Sequence, residues 1–242
     1  MWTVATYAPN ALFSLKIAVA TSSGGKTLLC PTPLSIKLAL LDALIRTQGR
    51  TSGELWWREL ATLRLRIALP AQIAVINTFT KIVRPKKNGP SDDNGTGLLA
   101  PFVRTIAYRE YVSFGGTFQL AAQTAQRKPL PAELSALFAQ LTSLGKRGGF
   151  IQLQAPPVPL ADEHMPEAAG WVTLTETQQR FSFGGTLQML DDCAATMTFA
   201  HADIYSDKRI TLGKERILRH IVLPYTVTRS SRGFTLYERN GA

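Results

Sequence analysis

Residues 30 to 49, CPTPLSIKLALLDALIRTQG, carry the local signal that most limits what this chain can fold into. Thr32 suits a helix N-cap, and Pro33 suits the first helical position, where its missing amide hydrogen costs nothing. Leu34, Leu38, Leu41 and Ile45 then recur at helical spacing, Lys37, Asp42 and Arg46 fall off that stripe, and Gly49 ends the run. A helix with one apolar face needs a layer to cover it, and the flanking sequence reads mainly as strands.

Ahead of the helix, Leu12, Leu15, Ile17 and Val19 alternate with small polar residues, which predicts a strand ending at the turn SSGG, with a short strand or turn at KTLLC. After it a short helix is expected over 54 to 60. Leu63, Leu65, Ile67 and Leu69 then alternate with Arg64 and Arg66, sending the arginines to solvent or to a ligand. Residues 71 to 84 and 102 to 112 read as strands flanking PKKNGPSDDNGTG, which holds almost nothing to bury, so a projecting basic hairpin is the economical picture.

A third helix is expected over 132 to 144, and the Pro-rich, acidic segment APPVPLADEHMPEAAG at 155 to 170 reads as a linker or excursion. The remainder reads mostly as strand and ends in a hairpin of 221 to 228 and 234 to 237 about the turn SSRG. Neither a regular strand-helix rhythm nor a glycine-rich nucleotide fingerprint is present, so the expected class is α+β on a mainly antiparallel sheet. SFGGTFQL at 113 to 120 echoes SFGGTLQM at 182 to 189, which is too short to establish a duplication.

Lys and Arg total 27 against 17 Asp and Glu, a formal charge of +10. Nucleic acid, an acidic protein surface and an anionic membrane all fit such an excess, as does a plain basic surface. No run reaches the ~20 apolar residues of a membrane span, and the N-terminus lacks the basic then apolar pattern of a secretory signal. Cys30 and Cys193 without a CxxC leave no disulfide scaffold or zinc ribbon, so a cytoplasmic location is expected.

Catalytic patterns are sparse, and no cofactor or metal is expected. His164, His201 and His220 have no second histidine at metal-ligand spacing, and His201 reads as a strand-face residue or a ligand. Asp92-Asp93 and Asp191-Asp192 lie beside turn residues, where aspartate serves the backbone. Basic residues gather at Lys81, Arg84, Lys86 and Lys87, at Lys146 and Arg147 among glycines, and at Lys208, Arg209, Lys214, Arg216 and Arg219. Glycines beside cations let backbone N–H groups approach phosphates. In Tyr108-Arg109-Glu110-Tyr111, alternation puts Arg109 and Tyr111 on one strand face, as a stacking ring beside a guanidinium or as core with an internal pair.

CPTPLSIKLALLDAL at 30 to 44, YREYV at 108 to 112 and SLGKRGGFIQL at 143 to 153 resemble, in order and spacing, the subunit of type I CRISPR Cascade complexes that holds the five-prime handle of the guide RNA (crRNA). The likeness covers about residues 1 to 155. It implies a ferredoxin-like domain of the RRM/RAMP type over those residues, a protruding β-hairpin thumb at about 81 to 101, and a smaller β-rich part over 156 to 242.

By that resemblance the subunit is non-catalytic, caps the backbone filament and serves target DNA recognition in antiviral defence. Its partners would be crRNA, target DNA through the complex, a backbone subunit and a large subunit, in a hetero-oligomer away from membranes. Lys81, Arg84, Lys86 and Lys87 would meet nucleic acid from the thumb, and Arg104, Tyr108, Arg109, Lys146 and Arg147 would lie along the handle. Some family members instead cleave repeat RNA by metal-independent acid–base chemistry. No Tyr-Lys-His set can be assembled here from matched positions, and a glycine-rich ending is absent, so that activity is the alternative.

Overall fold

A computed structural model describes residues 1–19, 25–91, 101–124, 134–145, 148–162, 165, 170–177 and 184–241. The helix expected after Thr32 is α1 (Pro33–Gln48), with the Thr32 hydroxyl accepting from the Ser35 N–H at 3.2 Å and Gly49 closing it at φ 85°. Its buried face centres on Ile36, Leu40 and Leu44, a rotation away from the expected stripe. That rotation places Lys37 inside, at 2% exposure.

The first strand lies earlier than its alternation suggests. β1 is Trp2–Pro9, while the segment expected as a strand holds only single bridges, Phe13 with Val112 and Lys16 with Thr27. Both faces of β1 are covered, which removes the alternation that marks a half-exposed strand. Trp2 and Val4 join a small cluster with Ala121 and Met165, whereas Ala5 and Tyr7 face the main core.

The chain continues through α2 (Arg50–Ala61), β2 (Arg64–Ala68), β3 (Gln72–Pro85), β4 (Phe102–Phe114) and β5 (Phe118–Gln123). α3 (Leu134–Ala139), β6 (Ile151–Leu153), β7 (Val158–Leu160) and β8 (Trp171–Thr173) follow. The last elements are β9 (Thr186–Cys193), α4 (Phe199–Ala202), β10 (Arg216–Leu223), β11 (Tyr225–Ser230) and β12 (Phe234–Arg239). The fold is mixed α+β with antiparallel sheets.

The central sheet runs β6-β1-β5-β2-β8, with β7 also pairing β1, and every one of these neighbours is antiparallel. β2 and β5 pair directly, so β3 and β4 are an excursion between them. That excursion is a long ladder from Ile73 opposite Phe114 to Pro85 opposite Phe102. β12 flanks only its base, from Gln72 to Ile76, beyond which the hairpin extends without that neighbour. Phe79, Val83 and Ile106 are 65%, 60% and 63% exposed there.

α3 is shorter than the helix expected to Leu144. Bonds from Gln140 N–H to Leu137 and from Leu141 N–H to Phe138 tighten its last turn, and the chain then folds back so that Leu144 N–H meets the Gly149 carbonyl. Gly145 and Gly148 hold that turn at φ 74° and 103°, a backbone region costly for other residues. Residues beyond 155 share the main core: Leu174, Leu190, Ile221 and Tyr225 pack in one cluster with Leu40 and Ile67. Two ladders, β2 with β8 and β3 with β12, also cross that position.

Cys30 and Cys193 are both buried, and burial pushes each thiol up to about 12. Thiolate is the reactive form, so neither is expected to react with a disulfide reagent at pH 8 in the native protein. Both should titrate after denaturation. Native reaction within minutes would show a more open core.

Candidate nucleic-acid interface

β4 sorts its four central side chains as alternation requires. On one face the Tyr108 hydroxyl donates to Glu110 Oε1 at 2.8 Å, and Glu110 Oε2 accepts the Thr27 N–H at 2.8 Å. Tyr108 also packs on Phe79, with centroids 5.2 Å apart. Desolvation, with the adjacent Glu110 carboxylate, pushes the Tyr108 phenol up to about 12. This face ties β4 to the segment before α1.

Arg109 and Tyr111 take the other face, where they line a cleft of about 410 Å³ with Leu12, Ser14, Gly148 and Gly149. The Arg109 Nη1 is buried and has no hydrogen-bond partner among the described residues. A buried guanidinium nitrogen left unpaired is costly, and a guanidinium group on the lining of a cleft suits an anionic oxygen there. Two sequence motifs some forty residues apart thus meet at one cleft. Lys146 and Arg147, between Gly145 and Gly148, lie outside the described residues.

Along the hairpin, the side chains of Lys81, Arg84, Lys87 and Arg104 are exposed and make no hydrogen bond or ion pair among the described residues. Lys86 Nζ donates to Ser91 Oγ at 2.7 Å. Lys81 stands opposite Ile106 and Arg104 opposite Val83, so those two cations share a face with Phe79, Val83 and Ile106. Arg84, opposite Val103, takes the reverse face. Asp92 and Asp93 lie outside the described residues.

The third basic group divides. Arg216 Nη2 lies 2.6 Å from Asp191 Oδ2, and Arg219 Nε lies 3.2 Å from Asp192 Oδ2. These aspartates sit within β9, buried and on opposite faces, each held by a β10 arginine on a diagonal position, and not beside a turn as their sequence context suggested. Lys208 and Arg209 remain exposed. Lys37 joins the same pairings: its Nζ reaches Asp192 Oδ1 at 2.6 Å and the Ala61 carbonyl at 2.7 Å.

His201 is on a helix and not on a strand. Its Nδ1 accepts the Thr198 N–H at 3.1 Å, closing the capping box of α4. His220 is exposed on β10, and His164 lies outside the described residues. Arg64 is paired with Glu176 at 3.0 Å, and Arg66 lies over the Trp2 ring at 4.6 Å with its Nε buried and without a hydrogen-bond partner among the described residues. Among the described residues no group of three or more His, Cys, Asp or Glu could hold a metal ion, and no helix is long and apolar enough to cross a membrane.

No protein-family model and no curated protein matches this chain. Among solved structures it is similar to a CRISPR protein from Archaeoglobus fulgidus, at 11% identity over 99% of this chain and 92% of that one, with a TM-score of 0.44. It is also similar to a chain of a CRISPR RNA-guided surveillance complex, at 13% identity over 92% and 91%, with a TM-score of 0.43.

Proposed function

We propose that this chain is a non-catalytic subunit of a type I CRISPR Cascade-type complex that binds the five-prime handle of the crRNA and caps the backbone filament. The observation that carries this reading is the cleft in which Arg109 and Tyr111 face Gly148 and Gly149, with an orphaned guanidinium nitrogen beside it. The strand YREYV and the turn in SLGKRGGFIQL are two of the three segments that resemble the handle-binding subunit, and both contribute to the lining of that cleft.

The sheet order supports a ferredoxin-like core. β1, β2, β5 and β6 lie as fourth-first-third-second, antiparallel throughout, with α1 and α3 as the two crossovers. The β3–β4 hairpin leaves between the second and third of these strands and corresponds to the thumb. The side chains of its cations Lys81, Arg84, Lys87 and Arg104 are unengaged among the described residues, as phosphate contacts would be. In this reading Lys146 and Arg147 add to the handle contacts.

The test is the RNA that co-purifies with the assembled complex. A single species with a uniform five-prime end is expected. Arg109→Gln with Tyr111→Ala should weaken handle RNA binding about tenfold or more and lower the salt dependence by roughly one phosphate contact. RNA-free material with full assembly, or undiminished binding by the double variant, would overturn the reading. Cleavage of repeat RNA by the isolated chain in EDTA would replace it with the nuclease alternative.

A further inference from the structure

A second cleft, of about 680 Å³, opens between α2, β2 and the β9–β10 ribbon, and its floor has an unusual charge balance. Asp192 is 1% exposed and accepts from Lys37 Nζ, from Arg219 Nε and from the Cys193 N–H at 2.8 Å. One carboxylate therefore serves two cations, one of them fully buried and the other partly exposed, which leaves a net positive charge at the cleft floor. Such a charge is costly without a counter-ion.

The rim reduces the imbalance without removing it. Arg64 is neutralised by Glu176, and Glu54 lines the cleft 3.8 Å from Arg50, whose nearer partner is Asp203 at 2.9 Å. The Arg58 side chain is exposed on α2 and makes no hydrogen bond or ion pair among the described residues. Arg219 is only 27% exposed, and its two terminal nitrogens are likewise without a partner there. The lining thus holds four cations, Lys37, Arg58, Arg64 and Arg219, against three carboxylates, Glu54, Glu176 and Asp192.

We propose that this cleft binds a phosphate-bearing ligand of nucleotide size, anchored by Arg219 at the floor and Arg58 at the rim. Guanidinium forks match phosphate oxygens in pairs, and a phosphate dianion carries more acceptor oxygens and more charge than a carboxylate to offer to two guanidinium groups. The volume lies within the range of about 300–1,000 Å³ typical of small-molecule sites. This site is separate from the Arg109 cleft and does not rest on the handle reading.

The phosphate belongs to a free nucleotide or to the end of an oligonucleotide, and the probes distinguish them. AMP, adenosine, and a pentanucleotide with and without a five-prime phosphate are titrated by calorimetry against the full chain. AMP or the phosphorylated pentanucleotide should bind, whichever is tighter naming the source, and adenosine should not. Arg58→Gln, a change at an exposed and unpaired side chain, should weaken AMP binding about tenfold. Equal binding of adenosine and AMP, binding insensitive to Arg58→Gln, or no binding of any probe would overturn the proposal.

Discussion

Asp192→Ala is expected to destabilise the fold by about 3–5 kcal/mol, the scale of breaking a buried ion pair from one side. Lys37 Nζ would keep only the Ala61 carbonyl, at 2% exposure, and Arg219 would lose its sole described ion pair. The penalty comes from charges left without a counter-ion and not from lost volume. Lys37→Met should therefore cost far less, because Asp192 would still be held by Arg219 and the Cys193 N–H.

That asymmetry between two partners of one ion pair is the decisive readout in urea denaturation. Similar losses for both variants would show that Lys37 is not surplus charge but an equal share of the pair. Asp191→Ala supplies the comparison on the opposite face of β9, where Arg216 is 30% exposed and can turn to water. Its cost should stay near 1 kcal/mol, as for a partly solvated pair.

The same network shows where sequence reading stops. The α1 cap, its proline and its closing glycine obey rules local to a few residues, and the long β3–β4 hairpin follows from two strands about a stretch with nothing to bury. Lys37 was legible only as a polar residue off a leucine stripe, because its partner lies 155 positions later. Asp191 and Asp192 read as turn residues for the same reason: neither neighbouring sequence nor spacing announces a β10 arginine on each face. β1 was missed because both its faces are covered.

For the candidate interface the strand geometry of YREY was legible and its consequences only half so. Alternation separates Arg109 and Tyr111 from Tyr108 and Glu110, as observed. It cannot say that the Tyr108 hydroxyl is engaged by Glu110, which makes Tyr108 a structural residue as much as a surface one. Nor can it bring Gly148 and Gly149 to the strand, since that contact depends on the chain folding back after α3. His201 gave no signal of its cap beyond Thr198 three residues before it.

Trp57→Ala is expected to cost about 3–5 kcal/mol, the range for removing a large buried aromatic ring. Trp57 is 3% exposed, and its Nε1 donates to the Met197 carbonyl at 2.9 Å, joining α2 to the segment before α4. Trp57→Phe keeps most of the ring but orphans that carbonyl, at a cost of about 1–3 kcal/mol. The two variants together separate packing from hydrogen bonding. Because the core cluster and two ladders join residues on both sides of position 155, each loss should shift one cooperative transition. Coincident curves from fluorescence and far-ultraviolet circular dichroism are expected for both variants and for the parent. A split in which only one probe follows Trp57→Ala would mean that the ladders across 155 do not couple the two parts, and that β9 to β11 unfold on their own.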